Sequence, residues 1–155
     1  MRLTRFTDNA MRCLMVLGLD SDQFIPVNTI AVRMRMSHEH LLKVVHTLGV
    51  LGYTETQRGR NGGVRLAKLP SEIRIGELIG AVEGTLALVE CFDRDASQCP
   101  VVSVCKLAPM IDEALHAFFQ VLDRYTLADV LENRAELVPL LRRHTNDINS
   151  LRPAV

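Results

Sequence analysis

The sequence predicts a mainly α fold carrying one small β-hairpin, on three observations. Apolar residues recur at three- and four-residue steps in several segments, the period of a helix buried on one face. Gly and Asn gather at Arg58-Gly59-Arg60-Asn61-Gly62-Gly63, between two short runs that suit strands. Beyond Pro109 an apolar stripe continues to Tyr125 over about four turns, longer than a small domain needs for its own core.

Each element follows in order. Residues 7–19 carry Met11, Leu14, Met15 and Leu17 at helical spacing, and Asp20-Ser21-Asp22 closes the segment with turn formers. Asn28 suits the cap of a short helix reaching Arg35, because its side chain accepts a hydrogen bond from a free first-turn amide. Ser37 suits the next cap; after it Leu41, Val44, Val45 and Leu48 share one face, and Gly49 or Gly52 offers the stop. A helix, a tight turn at Met34-Arg35-Met36 and a second helix is the helix-turn-helix spacing, in which the second helix enters the DNA major groove. Tyr53–Gln57 and Val64–Leu66 read as strands, with Asn61-Gly62 supplying the positive φ angles of a tight turn. A basic hairpin behind a helix-turn-helix is a wing. Past Pro70-Ser71, the residues Ile75, Leu78, Ile79 and Val82 outline a short helix that ends at Gly84. No long period persists from Gly84 to Cys105. The stripe Met110, Ile111, Ala114, Leu115, Phe118, Val121, Leu122 and Tyr125 makes a long helix that needs a partner. Thr126 and Asp129 read as a capping pair opening a last helix with Val130, Leu131, Leu137 and Leu140. The fold class is therefore a winged helix-turn-helix domain plus a long C-terminal dimerisation helix.

Composition narrows the function classes. The 155 residues suit one core, and 48% hydrophobic with 23% charged residues is neither disordered nor fibrous. No apolar run approaches the roughly 20 residues that span a bilayer, and the charged start lacks a following apolar stretch, so a cytoplasmic protein without membrane contact is expected. Eighteen basic and eighteen acidic residues cancel overall. They are nevertheless segregated: residues 1–70 hold ten Lys and Arg against five Asp and Glu, a net +5, whereas residues 71–155 come to −5. A basic half that meets a polyanion, joined to an acidic half with another task, is the expected arrangement. No nucleophile with its base, carboxylate pair or phosphate loop appears at a recognisable spacing, so an enzyme is not expected.

Three of the four cysteines, Cys91, Cys99 and Cys105, lie within fifteen residues of a loop-like, partly acidic stretch. In a reducing compartment, soft thiolates so placed point to a metal rather than to disulfides. Structural zinc shows cysteine pairs two to four residues apart, and none occurs here; an iron–sulfur cluster tolerates varied spacing and leaves a fourth position to another ligand. Cys13, on the apolar face of the first helix, reads as a buried hydrophobe. The chain thus divides into a winged helix-turn-helix DNA-binding domain, 1–70, a connecting helix and cluster loop, 71–106, and a dimerisation helix with a C-terminal helix, 107–155.

The ordered set Met1-Arg2-Leu3-Thr4, Phe6-Thr7-Asp8, the wing from Arg58 to Leu66, Ile73-Arg74-Ile75-Gly76-Glu77, the three cysteines and Tyr125-Thr126-Leu127-Ala128-Asp129 resembles the Rrf-type winged-helix transcription regulators, and within them the nitric-oxide-sensing repressors. The resemblance runs almost the full chain. It implies a homodimer paired through long C-terminal helices, with an iron–sulfur cluster in each subunit, of the four-iron four-sulfur type, a two-iron two-sulfur cluster being the alternative. It also implies cluster ligation by Cys91, Cys99 and Cys105 together with an aspartate from the second subunit, which Asp8 matches. Asp8 has an ordinary role too, as a favourable charge at the first turn of a helix. An assembly regulator of the same family uses a histidine just after the third cysteine, where this chain has Lys106, Leu107, Ala108 and Pro109. The implied function is repression at an inverted-repeat operator, relieved when the cluster reacts with nitric oxide. The alternative is a redox- or iron-responsive regulator of the same fold that does not sense nitric oxide.

The DNA-facing candidates are Ser37, His38, Glu39, Lys43 and His46 on the reading helix and Arg58, Arg60 and Asn61 on the wing. Glu39, Lys43 and His46 step by four and three residues opposite the Leu41, Val45 and Leu48 stripe. Lys43 suits guanine or phosphate and Glu39 suits cytosine, while the wing arginines suit phosphate or a narrow minor groove. His40 lies among them, and a ligand role for these histidines is not expected.

Overall fold

The computed structural model describes residues 2–84, 86, 88–92 and 97–150, with side chains up to residue 142. Helix α1 spans Arg5–Leu19 and starts before the apolar pattern does, because Thr4 caps it by accepting a hydrogen bond from the Thr7 amide at 3.2 Å. Its face of Ala10, Cys13, Leu14 and Leu17 is fully buried. Helix α2 spans Val27–Met34. Asn28 is not its cap: Pro26 holds that position, and the Pro26 carbonyl receives the amides of Thr29 and Ile30. A proline lacking an amide and with fixed φ begins a helix without side-chain help.

The turn falls where the spacing predicts it. Arg35 alone among described non-glycine residues takes the left-handed conformation, at φ 52° and ψ 46°, and its amide closes back onto Ala31 and Val32. Helix α3, His38–Val50, follows with Leu41, Val44, Val45 and Leu48 in the core. Ser37 stands at its cap position, but the Ser37 side chain makes no capping hydrogen bond.

Strands β1, Thr54–Gln57, and β2, Gly63–Leu66, pair antiparallel with Thr54 opposite Leu66 and Gln57 opposite Gly63. Tyr53 lies just outside β1, buried against the core. The expected positive φ at Asn61-Gly62 is not observed; Gly59 carries it, at 107°. The paired glycines serve a different need. Ile25 bridges to Val64 through amide–carbonyl bonds of 2.8 and 2.9 Å, and a Cβ on Gly63 would lie 2.5 Å from the Ile25 carbonyl. Close backbone approach, not turn geometry, requires glycine there.

Helix α4, Ile75–Glu83, stops at Gly84 with φ 72°. A loop containing a 3-10 turn at Glu90–Phe92 leads to α5, Leu107–Leu122. The expected single last helix is two. Thr126 and Asp129 form the anticipated capping box, but it opens only α6, Leu127–Val130, and the chain turns before α7, Arg134–Ser150, which contains Pro139. The break follows from packing: Leu127 and Leu131 both enter the core beside Gly18, where a Cβ would sit 2.5 Å from a Leu131 methyl.

Helix α1 is the hub, packed against α2, α3, α4, α6 and β2, and α7 folds back on α2. Leu14, Leu17, Ile30, Leu41, Leu48, Ile73, Leu78 and Leu127 are fully buried around it. Helix α5 packs on α4 through Phe119, yet none of its sixteen residues is fully buried, and Leu107 and Met110 are 59% and 63% exposed. Among the described residues no helix is long and apolar enough to cross a membrane.

Candidate functional site

Burial of Leu41, Val44, Val45 and Leu48 turns the other side of α3 outward, so Ser37, His38, Glu39, Lys43 and His46 are all exposed. His40 and Leu42 share that surface. Arg58, Arg60 and Asn61 are exposed on the hairpin connection. Among the described residues Lys43, Arg58 and Arg60 have no acidic partner, so none of these residues neutralises the charge they offer. Arg65, by contrast, is committed to the wing itself: it pairs with Glu55 across the strands and lies over the Phe24 ring at 4.5 Å.

Arg12 and Arg5 belong with this surface although their role is not visible in the pattern. They line a cleft of about 520 Å³ between the starts of α1 and α3, together with Asp8, Asn9, Met36, Ser37 and Lys43. Arg12 spans it: one guanidinium nitrogen lies 3.4 Å from the Asp8 carboxylate and another donates to the Met34 carbonyl at 2.9 Å. The i, i+4 spacing of Asp8 and Arg12 is legible in sequence. The bond to Met34, twenty-two residues on, is not.

All four cysteines are free. Cys91 lies in the 3-10 turn, Cys99 precedes Pro100, and Cys105 stands two residues before α5; all three are half-buried. Cys13 is wholly buried, and desolvation pushes its thiol up to about 12, so it is a protonated core residue at neutral pH. Asp8 is exposed in the first turn of α1, where its charge also favours the helix dipole. Among the described residues no three His, Cys, Asp or Glu side chains gather into a metal-holding group, so the four candidate ligands are not assembled within one chain. The donor chemistry nevertheless fits an iron–sulfur cluster, for three accessible thiols uncommitted to disulfides share one loop.

Residues 3–133 match the Rrf2 family, described as iron-dependent transcriptional regulators. The chain belongs to the Rrf2 family. Among its relatives, a protein of Geobacillus kaustophilus called HTH-type transcriptional regulator NsrR is 50% identical over 143 residues, covering 92% of this chain and 97% of that one. A protein of the same name from Halalkalibacterium halodurans is 45% identical, covering 92% and 98%. The solved structure of T. potens IscR shares the fold, with a TM-score of 0.69 over 86% of this chain and 88% of that one at 21% identity. This Rrf2 chain is accordingly a DNA-binding transcription regulator of the winged-helix type and not an enzyme, as the residues predict.

Proposed function

We propose that this Rrf2 regulator is a homodimeric repressor that holds an iron–sulfur cluster in each subunit and leaves its operator in response to nitric oxide. The observation that carries the reading is the placement of three free, accessible cysteines on one loop at the foot of a helix that has no fully buried residue. Cys91, Cys99 and Cys105 would hold the cluster, with Asp8 of the second subunit as the fourth ligand. When bound, a four-iron four-sulfur cluster supplies iron that can take nitric oxide as a ligand.

The protein's own part is mechanical. Ser37, His38, Glu39, Lys43 and His46 face the major groove, and Arg58, Arg60 and Asn61 reach along the backbone from the wing. Arg12 stands between Asp8 and Met34, the last residue of α2 before the turn. A change at Asp8 is thereby felt where the reading helix is aimed. The exposed apolar side chains of α5, among them Met110 at 63%, together with Val104 just before the helix at 77%, supply the surface for a second copy.

The ultraviolet–visible spectrum of protein purified without oxygen, before and after nitric oxide, tests the reading. A visible cluster absorption that nitric oxide changes, with parallel loss of operator binding, is expected. Colourless protein that still binds its operator would favour a thiol-based regulator instead.

A further inference from the structure

Glu83 is the last residue of α4, and the cysteine loop leaves the helix directly after it, through Gly84. Its carboxylate does not face solvent alone. It accepts the Thr4 amide at 3.0 Å and the Thr4 hydroxyl at 3.0 Å, across seventy-nine residues, and the Thr7 hydroxyl, across seventy-six. Thr4 is the cap of α1 and Thr7 is fully buried. One carboxylate therefore binds the N-terminal turn of α1 at three donors, where the helix dipole also favours a negative charge. Burial works against its ionisation, but the hydrogen bonds from Thr7 and Thr4 outweigh it and hold the carboxyl below its ordinary value.

The same turn carries Asp8, whose amide donates to the Thr4 carbonyl at 3.1 Å. The other end of α4 is equally tied. Asp123, following α5, accepts the Glu77 amide at 2.8 Å, and its carbonyl receives the Arg74 guanidinium at 2.8 Å. Helix α4 is thus a strut fixed at one end to α5 and at the other, by Glu83, to α1.

We infer that Glu83 is a positioning residue that locks the root of the cysteine loop onto the first turn of α1, so that loop and Asp8 move as one body. On the assignment of Asp8 as a ligand to the second subunit's cluster, the lock links the two metal centres of the dimer. A disturbance of one loop shifts the Asp8 that serves the other.

Glu83→Gln and Thr7→Val, the latter keeping side-chain volume, test this on the full-length protein. In iron-free protein both should speed amide hydrogen exchange at residues 5–8 and 84–92 by about tenfold, leaving α3 unchanged. With iron present, the ratio of operator affinities between loaded and iron-free protein should shrink about fivefold, whereas a purely structural role would lower both affinities equally. Should Glu83→Gln fail to fold, Thr7→Val decides. Parent-like exchange in the folded variants, or equal loss of affinity in both forms, overturns the lock. Asp8→Ala separates the two ideas: an unchanged cluster spectrum removes the ligand assignment and the link between subunits. A changed spectrum with parent-like exchange in Thr7→Val and Glu83→Gln removes the lock and keeps the ligand.

Discussion

At the residue scale, the cysteines divide by solvent exposure. Cys13 is wholly buried with its thiol pushed up to about 12, while Cys91, Cys99 and Cys105 are accessible. Iodoacetamide on the native iron-free protein should therefore alkylate the loop cysteines and spare Cys13, as peptide mass spectrometry reads directly. Cys91→Ala, Cys99→Ala and Cys105→Ala should each abolish iron retention, and Cys13→Ala should keep it; full iron in a loop variant would strike that cysteine from the ligand set. On the DNA side, the uncommitted charge of Arg60 should neutralise a phosphate. Arg60→Ala should flatten the dependence of log K on log salt by about one unit, for all sequences alike. Lys43→Ala should instead alter preference at one base position, by roughly 1–3 kcal/mol, measured against a panel of single-base operator variants.

At the element scale, the wing depends on what the hairpin touches behind it. Gly63 admits the Ile25 backbone, so Gly63→Ala forces the bridge between the α1–α2 connection and β2 apart. A loss of about 1–3 kcal/mol of stability is expected by urea denaturation, with operator affinity falling more than for a substitution at exposed Gly59. The Glu83 tie has a pH signature of definite sign. Its carboxyl is depressed in the folded state, so its contribution is present above the unfolded value near 4.5 and is lost as pH falls through the lower folded value. The difference in urea midpoint between parent and Glu83→Gln should be constant near neutrality and shrink below about pH 4.5; a difference that stayed constant into acid would count against the tie.

For the whole molecule, the decisive feature is α5, a sixteen-residue helix with no buried residue. Its neighbours Val101, Val102 and Val104 are likewise exposed. In the proposed homodimer this apolar surface is covered by a second copy, which would bring each cysteine loop toward a second chain. Met110→Glu should shift sedimentation from dimer to monomer while leaving the melting of the winged domain little changed, because Met110 contributes nothing to the core of its own chain. Operator affinity should fall as dimerisation is lost, since two half-sites are then no longer gripped together.

The sequence by itself determined the elements whose signals are local. The reading helix was legible because Leu41, Val44, Val45 and Leu48 repeat at helical period, and that repeat alone dictates which side of α3 faces outward. The three loop cysteines and the short α4 ended by Gly84 were legible for the same reason, each within a few residues. Wherever a contact joins distant segments, tertiary structure decided. Gly63 is required by Ile25, the last helix breaks because Leu127 and Leu131 descend into the core beside Gly18, and Asn28 gives way to Pro26 at the start of α2. The Glu83 tie to Thr4 and the Arg12 bond to Met34 belong to this second class. Periodicity records which face of an element is apolar, but not which other element will meet it, and hydrogen bonds across seventy-nine residues leave no period to read.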